Sequence, residues 1–409
     1  MSMDESTNLL GAMEDKDGFL EAGQLYMFYP KPHFSRLTLC KSMSTDEPSV
    51  HIKRKAAVAI LERKGTWRYV YCSGYSGWIN VSNDQRKSDI FCLTPSLRRY
   101  QDWKGTNYFF FQGRVVMGCD GKFFLLTNLT ALLVTYLFYF QIMPHLPRAL
   151  FAGVCGAVLI LFSMFNLWMT AFTEPGIIPR QPMHVKTKSP DPVLQPNWKY
   201  CTICNILRPP QVKHCSVCQN CVQGFDHHCP YTSNCIGVRN RRYFVRFVVG
   251  TTVLALYLFA LGCIVLSIAV RAQDTGSALH DLEKGLVQDE VAAIVTLAAF
   301  MSLLLFLPFC HYHLHIVAIG ETTFERMKKM YDNTKNPNDR GICGNYAHVC
   351  CGERPDSLIQ NMHEEITLEQ YLRENVEPEK FEKLFYGEGR YGSMMHGSTS
   401  STLAGTEVI

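Results

Sequence analysis

Four long apolar runs constrain the fold of this 409-residue chain more than any other feature. They lie at about 123–143, 149–172, 243–270 and 291–318, with polar stretches between them. A helix needs about 20 predominantly apolar residues to cross the hydrocarbon core of a bilayer, and each run approaches or exceeds that length. One such run could be a buried helix of a large soluble protein. Four of them predict a polytopic membrane protein.

The charges of the loops predict the orientation in the membrane. The loop 173–242 contains nine Lys or Arg residues and three Asp or Glu residues, whereas the loop 271–290 contains two basic and five acidic residues. Because loops rich in Lys and Arg stay on the cytosolic side, we expect 173–242 and both termini to be cytosolic and 271–290 to be lumenal. The first 30 residues show no compact apolar segment, so no cleavable signal peptide is predicted.

The residue pattern of the N-terminal part of the chain changes near residue 50. Residues 1–50 carry scattered charges without periodicity and are predicted to be disordered. Residues 51–120 form a cytosolic N-terminal region, in which 56–82 alternates β-branched and aromatic residues with Gly and polar breaks. That alternation predicts several short strands. The letters GYSGWI resemble an SH3-type turn and strand, so this region is either a small β module or a cytosolic cap packed on the membrane domain.

The remaining boundaries follow the apolar runs. We assign transmembrane helices 1 and 2 to 121–172, a cytosolic cysteine-rich domain to 173–242, helices 3 and 4 with their lumenal loop to 243–319, a tail-motif region to 320–355 and a C-terminal tail to 356–409. Within the tail, 362–384 is a charged, helix-like segment, and the Gly-, Ser- and Thr-rich end is predicted to be disordered. Near the end of the fourth run stand His311, His313 and His315. A spacing of two does not align on one helix face, which favours interfacial histidines over a metal site.

A cluster of cysteines and histidines occupies the predicted cytosolic loop. Seven of the 17 cysteines fall between 201 and 235, where a cytosolic environment keeps thiols reduced. Clustered reduced thiols predict metal binding or catalysis. The candidate ligands are Cys201, Cys204, His214, Cys215, Cys218, Cys221, His227, His228, Cys229 and Cys235. Two of the cysteine pairs have the CxxC spacing of a knuckle that grips one tetrahedral zinc ion.

Counting these ligands leaves some of them without a metal. Two closed zinc sites need eight ligands, and ten candidates are present. If the two spare groups are a His and a Cys in contact, they form a base and a nucleophile, because a thiol with a reference pKa of about 8.5 becomes far more acidic beside a His or a metal. Asp226 could orient such an imidazole. The spacing alone does not say which two groups are spare.

Several motifs in this loop and around it carry a resemblance. The loop resembles the cysteine-rich domain of the DHHC family of protein S-acyltransferases, the palmitoyltransferases, through CTICNILRPPQVKHCSVCQNCVQGFDHHCPYTSNCIGVRNRRYF (201–244). TEPG (173–176) and TTFE (322–325) match further family motifs, NPNDRGICGN (336–345) resembles the family's tail motif, and NYFFFQGRVVMGCD (107–120) resembles the stretch before the first span in the branch that includes plant enzymes. The resemblance covers roughly residues 100 to 355.

The resemblance implies roles for the clustered ligands. It assigns one zinc ion to Cys201, Cys204, His214 and Cys221, and the other to Cys215, Cys218, His228 and Cys235. Cys229 is then the nucleophile, His227 its base and Asp226 the orienting acid. The implied fold is an all-α polytopic membrane protein with four transmembrane helices and a cytosolic zinc-binding domain between the second and third, to which the N-terminal β module is added.

The resemblance also implies the reaction, a protein-cysteine S-palmitoyl transfer. A long-chain acyl-CoA such as palmitoyl-CoA is the co-substrate and acylates Cys229, and the acyl group then passes to cytosolic cysteines of membrane-associated proteins, with two structural Zn²⁺ as cofactors. Thr323 is expected near the acid, and Asn345 is expected to tie the tail to the bundle. The family usually has Trp where Tyr231 stands, which predicts a modified acyl pocket.

A second departure from the family concerns the CoA phosphates. The Arg that commonly follows the letters RPP is Gln211 in this chain. We therefore expect Arg208 and Lys213 to bind the CoA phosphates.

The competing interpretation is a membrane zinc-binding scaffold without catalytic activity, which needs the zinc ligands but not the spare pair.

Cys350 and Cys351 are either buried residues of the tail, self-acylation sites or part of a surface for an accessory subunit. The expected location is an endomembrane, Golgi or ER, with the plasma membrane as the alternative. Basic residues flank the apolar runs, which indicates contact with lipid headgroups and predicts no nucleic-acid partner.

Overall fold

The structure is a computed structural model that describes most of the chain. The described residues are 25–28, 37–40, 48–52, 56–64, 67–72, 75–80, 97–182, 185, 198–273 and 275–376. The predicted disordered end of the tail lies outside these residues. The chain divides into two compact units, the first made of 1–103, 181–188 and 361–409 and the second of 104–180 and 189–360.

The first unit contains a six-stranded antiparallel sheet. Its strands are β1 (Leu25–Phe28), β2 (Leu37–Cys40), β3 (Pro48–Ile52), β4 (Ala56–Lys64), β5 (Trp67–Cys72) and β6 (Tyr75–Asn80), in the order β1-β4-β5-β6-β2-β3. The strands that alternation predicts within 56–82 are β4, β5 and β6. Val58, Ile60 and Val70 are buried in this sheet, as expected of β-branched residues on an inner face.

The prediction that residues 1–50 are disordered is wrong where β1, β2 and the start of β3 form. These strands have four or five residues each, too few for a periodic pattern to emerge from a polar background. Their pairing is also not local, because β1 pairs with β4 and β2 pairs with β6. Backbone hydrogen bonds to distant strands therefore stabilise segments whose own sequences carry little signal.

A second part of the first unit joins the chain before the membrane region to the tail. The two-residue strand β7 (Leu97–Arg98) pairs with a strand at Glu365–Ile366, and a helix follows at Leu368–Asn375. Thr367 caps that helix by accepting a hydrogen bond from the Gln370 amide. The helix-like texture of the tail thus corresponds to a helix that begins several residues later than predicted.

The second unit contains the membrane-spanning helices. They are α1 (Gly121–Leu137), α2 (Ala149–Phe172), α3 (Arg241–Arg271) and, after the shorter α4 (Ala278–Gln288), α5 (Glu290–Ala318). A π-helical turn (Phe138–Ile142) and a 3₁₀ turn (Met143–His145) extend α1 to His145. Within the described residues, four helices are long and apolar enough to cross a membrane. They confirm the four predicted spans. The predicted loop 271–290 holds α4, which the sequence analysis did not anticipate.

Small residues let the membrane helices approach one another closely. A Cβ atom on Gly262 of α3 would lie 2.1 Å from Thr296 Oγ1 of α5, and one on Gly250 of α3 would lie 2.9 Å from Ser163 Oγ of α2. Because lipid tails are as apolar as the helices, tight packing at small residues is a main source of helix association in a bilayer. These contacts hold α3 at the centre of the bundle.

A series of short hairpins fills the loop between α2 and α3. Before α1 come β8 (Tyr108–Phe110) and β9 (Val115–Met117), and within the loop come β10 (Ile177–Ile178), β11 (Lys199–Cys201), β12 (Ile206–Arg208), β13 (Lys213–Cys215), β14 (Asn220–Val222), β15 (His227–Cys229) and β16 (Asn234–Ile236). Hydrophobic contacts alone would not stabilise strands of two or three residues. Two further helices, α6 (Thr323–Met327) and α7 (Ile342–Cys351), follow α5.

A buried carboxylate joins the end of α2 to the start of α3. Glu174, in the TEPG motif, accepts hydrogen bonds from the Gly176 and Ile177 amides, from Ser357 Oγ at 2.8 Å and from Arg239 Nη1 at 2.6 Å. Both Glu174 and Arg239 are 8% exposed. An ion pair this deeply buried depends on both partners, since either charge left alone pays its full desolvation cost.

We therefore expect Glu174→Gln to destabilise the protein strongly. The neutral amide leaves Arg239 unpaired and turns an NH₂ group toward donors, so the free energy of unfolding should fall by about 3–5 kcal/mol. Denaturant and thermal unfolding in detergent micelles would measure the change. Ser357→Ala removes the hydroxyl that donates to Glu174 and accepts from the Ile359 amide, but it leaves the charges paired and should have a clearly smaller effect. Equal losses in the two variants would contradict this role for the ion pair.

Candidate active site

Strand alternation separates the clustered ligands into groups. In β13 and β14, His214 pairs directly with Cys221, while its neighbour Cys215 pairs with Asn220. Successive side chains on a strand point to opposite faces of the sheet. His214 and Cys215 therefore face opposite ways, although they are adjacent in the chain. Cys221, directly across from His214, shares its face.

The eight predicted metal ligands gather into two clusters. The first consists of Cys201, Cys204, His214 and Cys221, and the second of Cys215, Cys218, His228 and Cys235. Within each cluster the donor atoms all lie within 4.8 Å of one another. His214 Nδ1 lies 3.4 Å from Cys204 Sγ and 3.6 Å from Cys201 Sγ.

These distances fit tetrahedral zinc. Zn–S bonds of about 2.3 Å and Zn–N bonds of about 2.0–2.1 Å place tetrahedral S and N donors about 3.6 Å apart. In the second cluster, His228 Nδ1 lies 3.4 Å from Cys218 Sγ and 3.6 Å from Cys235 Sγ. Three thiolates and one imidazole make a closed donor set of the structural type, which leaves no position for a substrate.

The hairpin β15–β16 places the two adjacent histidines on opposite faces. His228 lies directly across from Cys235, its partner in the second cluster. His227 and Cys229, one residue to either side, point to the other face because side chains alternate along a strand. The two groups left over by the count are therefore next to each other and away from both metal clusters.

A buried carboxylate holds the spare imidazole. Asp226 Oδ2 lies 2.7 Å from His227 Nδ1, and Asp226 is 1% exposed. Thr323, at the start of α6, donates to the same carboxylate from its amide at 3.0 Å and from its hydroxyl at 2.6 Å. Arg241 Nε, at the start of α3, lies 3.4 Å from Asp226 Oδ1. Three separate parts of the chain thus fix one carboxylate.

The pKa values of these groups favour the charged forms. Burial would raise the pKa of the Asp226 carboxyl, but Arg241, His227 and Thr323 together hold it well below its usual range. Burial would lower the pKa of His227, but Asp226 and Cys229 raise it to about 9. Burial would raise the pKa of the Cys229 thiol, but a hydrogen bond with His227 and its charge lower it. A carboxylate, an imidazolium and a thiolate stabilise one another in this arrangement.

Apolar side chains surround the Cys229 thiol. Cys229 packs in one cluster with Ile236, with Phe244 and Val248 of α3, and with Cys310 of α5. The thiol therefore lies beside the first turns of α3 and near the end of α5. A group attached to this sulfur would meet apolar surface directly.

Thr323→Val should slow any reaction that depends on the Asp226–His227 pair. Valine keeps the branched shape and the backbone amide donor, but it removes the hydroxyl that donates to Asp226. A hydrogen bond to a charged group contributes about 1.5–3 kcal/mol, so we expect the rate of such a reaction to fall by about tenfold or more. Single-turnover acylation would measure it. Thr323→Ser should retain most of the rate, and an equal loss in both variants would assign the effect to packing.

Comparisons with known proteins agree with this geometry. The DHHC palmitoyltransferase family matches residues 194–330. The chain is 31% identical over 292 residues to probable protein S-acyltransferase 7 of Arabidopsis thaliana, which covers 64% of this chain and 64% of that protein. It is 32% identical over 292 residues to palmitoyltransferase ZDHHC18 of Homo sapiens, which covers 64% of this chain and 74% of that protein.

The chain belongs to the DHHC palmitoyltransferase family. Its N-terminal sheet precedes the part that matches this DHHC family, and the chain spans just under two thirds of the length of the Arabidopsis relative. The four spanning helices and the two Cys and His clusters lie in the order that the family resemblance implies.

The structure also places the supporting residues of this DHHC protein. Asn345 of α7 donates to the Ala318 carbonyl at 2.9 Å, which joins the tail to the end of α5. Tyr231 follows the Cys229 hairpin strand, is 61% exposed, and its ring lies 6.3 Å from that of Phe123 in α1. Tyr231 therefore contacts the first membrane helix from the cysteine-rich domain.

The residues expected to bind CoA lie on two consecutive hairpins of the cysteine-rich loop, β11–β12 and β13–β14. Arg208 pairs across the β11–β12 hairpin with Lys199. Lys213 stands at the start of β13, with its Nζ 4.9 Å from the ring centre of Phe324. In the described part of the chain, the buried Nε of Arg208 has no hydrogen-bond partner.

The two adjacent cysteines of the tail differ in exposure. Cys350 is partly buried, and its carbonyl accepts a hydrogen bond from Arg246 at 2.6 Å, whereas Cys351 is exposed. Burial also raises the pKa of the Cys350 thiol. Cys351 is therefore the more accessible thiol of the two.

Three residues around the site escaped the sequence analysis. Arg241 contacts Asp226, and its only signal is its place among the arginines before the third span. His313 of α5 was expected at an interface, but it is 4% exposed and its ring lies 5.9 Å from that of His227. Asp120 lies 2.7 Å from His228 Nε2. Asp120 stands just before the first span and is 108 residues from His228 in the sequence. No local pattern could therefore have paired them.

Proposed function

We propose that this protein transfers long-chain acyl groups from acyl-CoA to cysteines of other proteins, and that Cys229 carries the acyl group between the two steps. The observation that supports it best is the placement of His227 and Cys229 on one face of a strand whose other face holds a metal ligand. A scaffold without catalytic activity would need only the metal-binding face. The spare face has an oriented base, a nucleophile and apolar surroundings.

The first step forms a thioester on the enzyme. The Cys229 thiolate, whose proton is on His227, attacks the carbonyl carbon of the acyl-CoA thioester. A new C–S bond forms to Cys229, the C–S bond to CoA breaks, and the CoA thiolate takes the proton from His227. In the second step a substrate cysteine gives its proton to His227 and attacks the acyl carbon, the C–S bond to Cys229 breaks, and Cys229 leaves as the thiolate beside the protonated His227, as at the start.

The residues around His227 orient the proton transfers. Asp226 accepts from Nδ1 at 2.7 Å, so Nε2 is the nitrogen free to exchange a proton with sulfur. Thr323 and Arg241 hold the carboxylate in place and keep it charged. A fixed carboxylate stabilises the imidazolium that forms in each step, as in other nucleophilic systems with three members.

Zinc supplies structure in this proposal. The two closed donor sets would each hold one Zn²⁺, and these ions would fix the hairpins that carry the reacting residues. Hairpins of three-residue strands have too little apolar contact to stay folded alone.

We propose that basic residues of the hairpins β11–β12 and β13–β14 bind the phosphates of CoA. Lys199 and Arg208 face each other directly across a hairpin, where like charges destabilise a strand pair. A phosphate group between them would relieve that repulsion and would give Arg208 Nε an acceptor. Lys213 provides a third cation at the start of the neighbouring hairpin, β13–β14.

Removing two of these cations should weaken acyl-CoA binding. We expect Arg208→Ala with Lys213→Ala to raise the Kd for a non-hydrolysable palmitoyl-CoA analogue by about tenfold or more, because two charge-assisted contacts are lost. Calorimetry with zinc-loaded protein would measure it. Arg114→Ala with Lys104→Ala, two cations outside these hairpins, provides the control. An unchanged affinity in the first double variant would contradict the phosphate site.

The wider setting of the reaction remains part of the proposal. The basic loop charges support cytosolic termini and a cytosolic active site, and the family resemblance supports an endomembrane location, Golgi or ER, with membrane-associated protein substrates. Tyr231 would line the acyl pocket beside α1. Cys351, and after it Cys350, are the candidates for self-acylation of the tail or for contact with an accessory subunit.

The test is acyl transfer by the purified, zinc-loaded protein. Labelled palmitoyl-CoA should produce a hydroxylamine-sensitive label on the protein and one equivalent of free CoA. A cysteine peptide on lipid vesicles should then remove the label as it becomes acylated. Full zinc occupancy without label or CoA release would favour the inert scaffold.

A further inference from the structure

The second metal cluster has a carboxylate behind its histidine. His228 presents Nδ1 to the sulfurs of Cys218 and Cys235 at 3.4 and 3.6 Å. Its other ring nitrogen, Nε2, lies 2.7 Å from Asp120 Oδ2. Both partners are largely sheltered, with side chains 10% and 21% exposed. The contact joins a residue just before the first membrane helix to a residue of the zinc-binding loop.

The chemistry of the imidazole gives this contact a direction. A neutral imidazole that binds a metal through Nδ1 must carry its hydrogen on Nε2. That N–H then donates to Asp120. A carboxylate that accepts the second N–H of a metal-bound histidine fixes the tautomer and the ring orientation and makes the ligand a stronger base.

Within the part of the chain that the structure describes, the first metal cluster has no such partner. His214 also presents Nδ1 to its sulfurs. Among the described residues its buried Nε2 makes no hydrogen bond. Two clusters with the same donor set of three cysteines and one histidine therefore differ in what supports the histidine. The first cluster can therefore serve as an internal control when the effect of this partner on the second cluster is measured.

The segment before α1 also contacts, at other points, the hairpins β13–β14 and β15–β16, which carry the ligands of the second cluster. The Thr106 amide and hydroxyl donate to the carbonyls of Cys218 and Val217 at 3.1 and 2.7 Å. The Gly118 amide donates to the Ser233 carbonyl at 2.6 Å, where a Cβ on Gly118 would come within 2.5 Å of that oxygen. Residues 106–120 therefore lie tightly against the second cluster, and the Asp120 carboxylate contacts the ring of one of its ligands, His228.

The Asp120 carboxylate does not cap the helix that it precedes. Asp120 is the N-cap residue of α1, but its side chain makes no capping hydrogen bond to the helix amides within the described structure. An aspartate at this position could have been explained by helix capping. Its carboxylate is directed to His228 instead.

We propose that Asp120 is the outer carboxylate partner of the zinc ligand His228. It is a positioning residue that strengthens zinc binding at the second site alone and joins the first membrane helix to that site. This inference depends on zinc binding by the two clusters and does not require acyl transfer. Its test can therefore fail while the proposed function stands, and the reverse also holds.

The test compares zinc release from the two sites in the full-length, zinc-loaded protein. The protein in detergent micelles is treated with a chelator and pulsed with N-ethylmaleimide, and mass spectrometry locates the labelled cysteines. In Asp120→Ala we expect the second-site thiols Cys215, Cys218 and Cys235 to become labelled about 10–100-fold faster than in the wild type, the range typical for loss of such a partner. Labelling of the first-site thiols Cys201, Cys204 and Cys221 should stay unchanged.

Two further variants separate this effect from helix capping and from loss of folding. Asp120→Asn keeps an acceptor oxygen and should restore much of the slow release. Asp289→Ala removes the N-cap aspartate of α5, away from both clusters, and should leave all six rates unchanged. Equal acceleration at both sites in Asp120→Ala, or no acceleration at either, would overturn the proposal. So would an Asp120→Asn variant that releases zinc as fast as Asp120→Ala.

Discussion

Cys229→Ser should leave the protein unable to form an acyl-enzyme while it keeps both zinc ions. The serine hydroxyl has almost the same volume but a far higher pKa than the thiol, so His227 cannot generate the nucleophile. We expect the hydroxylamine-sensitive label from palmitoyl-CoA to fall below about one thousandth of the wild-type rate, by analogy with the loss of other activated nucleophiles. Single-turnover labelling and release of free CoA would measure it.

The zinc content separates this loss from unfolding. Cys229 belongs to neither metal cluster, so the variant should retain two zinc ions per chain. Cys235→Ser changes the same atom in a neighbouring strand but removes a ligand of the second cluster, and it should lose about one zinc ion. Label that persists in Cys229→Ser would place the chemistry on another thiol, with the exposed Cys351 the first to examine.

The second large effect concerns two adjacent residues of identical type. We expect His227→Ala to keep two zinc ions and to lose acylation by about 10³-fold or more, because the base of a nucleophile pair acts as a unit with it. We expect His228→Ala to lose about one zinc ion and to unfold at a lower temperature, because it removes a ligand of the second cluster. Atomic absorption and thermal unfolding distinguish the two outcomes.

Added imidazole provides a check on the first of these variants. A small imidazole can enter the space left in His227→Ala and accept the thiol proton, so part of the activity should return. It should not restore zinc to His228→Ala. Loss of zinc from both variants, or from neither, would contradict the assignment of opposite faces to these neighbours.

The membrane part was the most predictable part of the fold. Each span is a run of apolar residues longer than the bilayer requires, so composition alone locates it, and the helices begin and end within a few residues of the runs. The strands between 25 and 52 were not predictable, because each has few residues and pairs with a distant strand. The helix α4 was missed for a related reason, since a short charged segment between two spans reads as a loop.

The candidate site was predictable in its members but not in its connections. Counting ligands shows that two groups are spare, yet spacing along the chain cannot tell His227 from His228. Only the pairing of β15 with β16 separates them. Arg241 and Asp120 approach the site from elements that are distant in sequence. Contacts of this kind depend on how the segments pack, and no local pattern records them.

The alternation in β15 also sets a limit on how this motif can change. Inserting or deleting one residue within β15, before Cys229, would shift the pairing with β16 and turn the following side chains of that strand to the opposite face. The thiol would then point at the metal and a zinc ligand would point at the membrane. Single-residue length changes in this strand should therefore be far more harmful than most substitutions there, because they disrupt the metal-binding face and the thiol-bearing face together. The order of Asp226, His227, His228 and Cys229 in this chain therefore depends on the geometry of a strand as much as on the chemistry of its side chains.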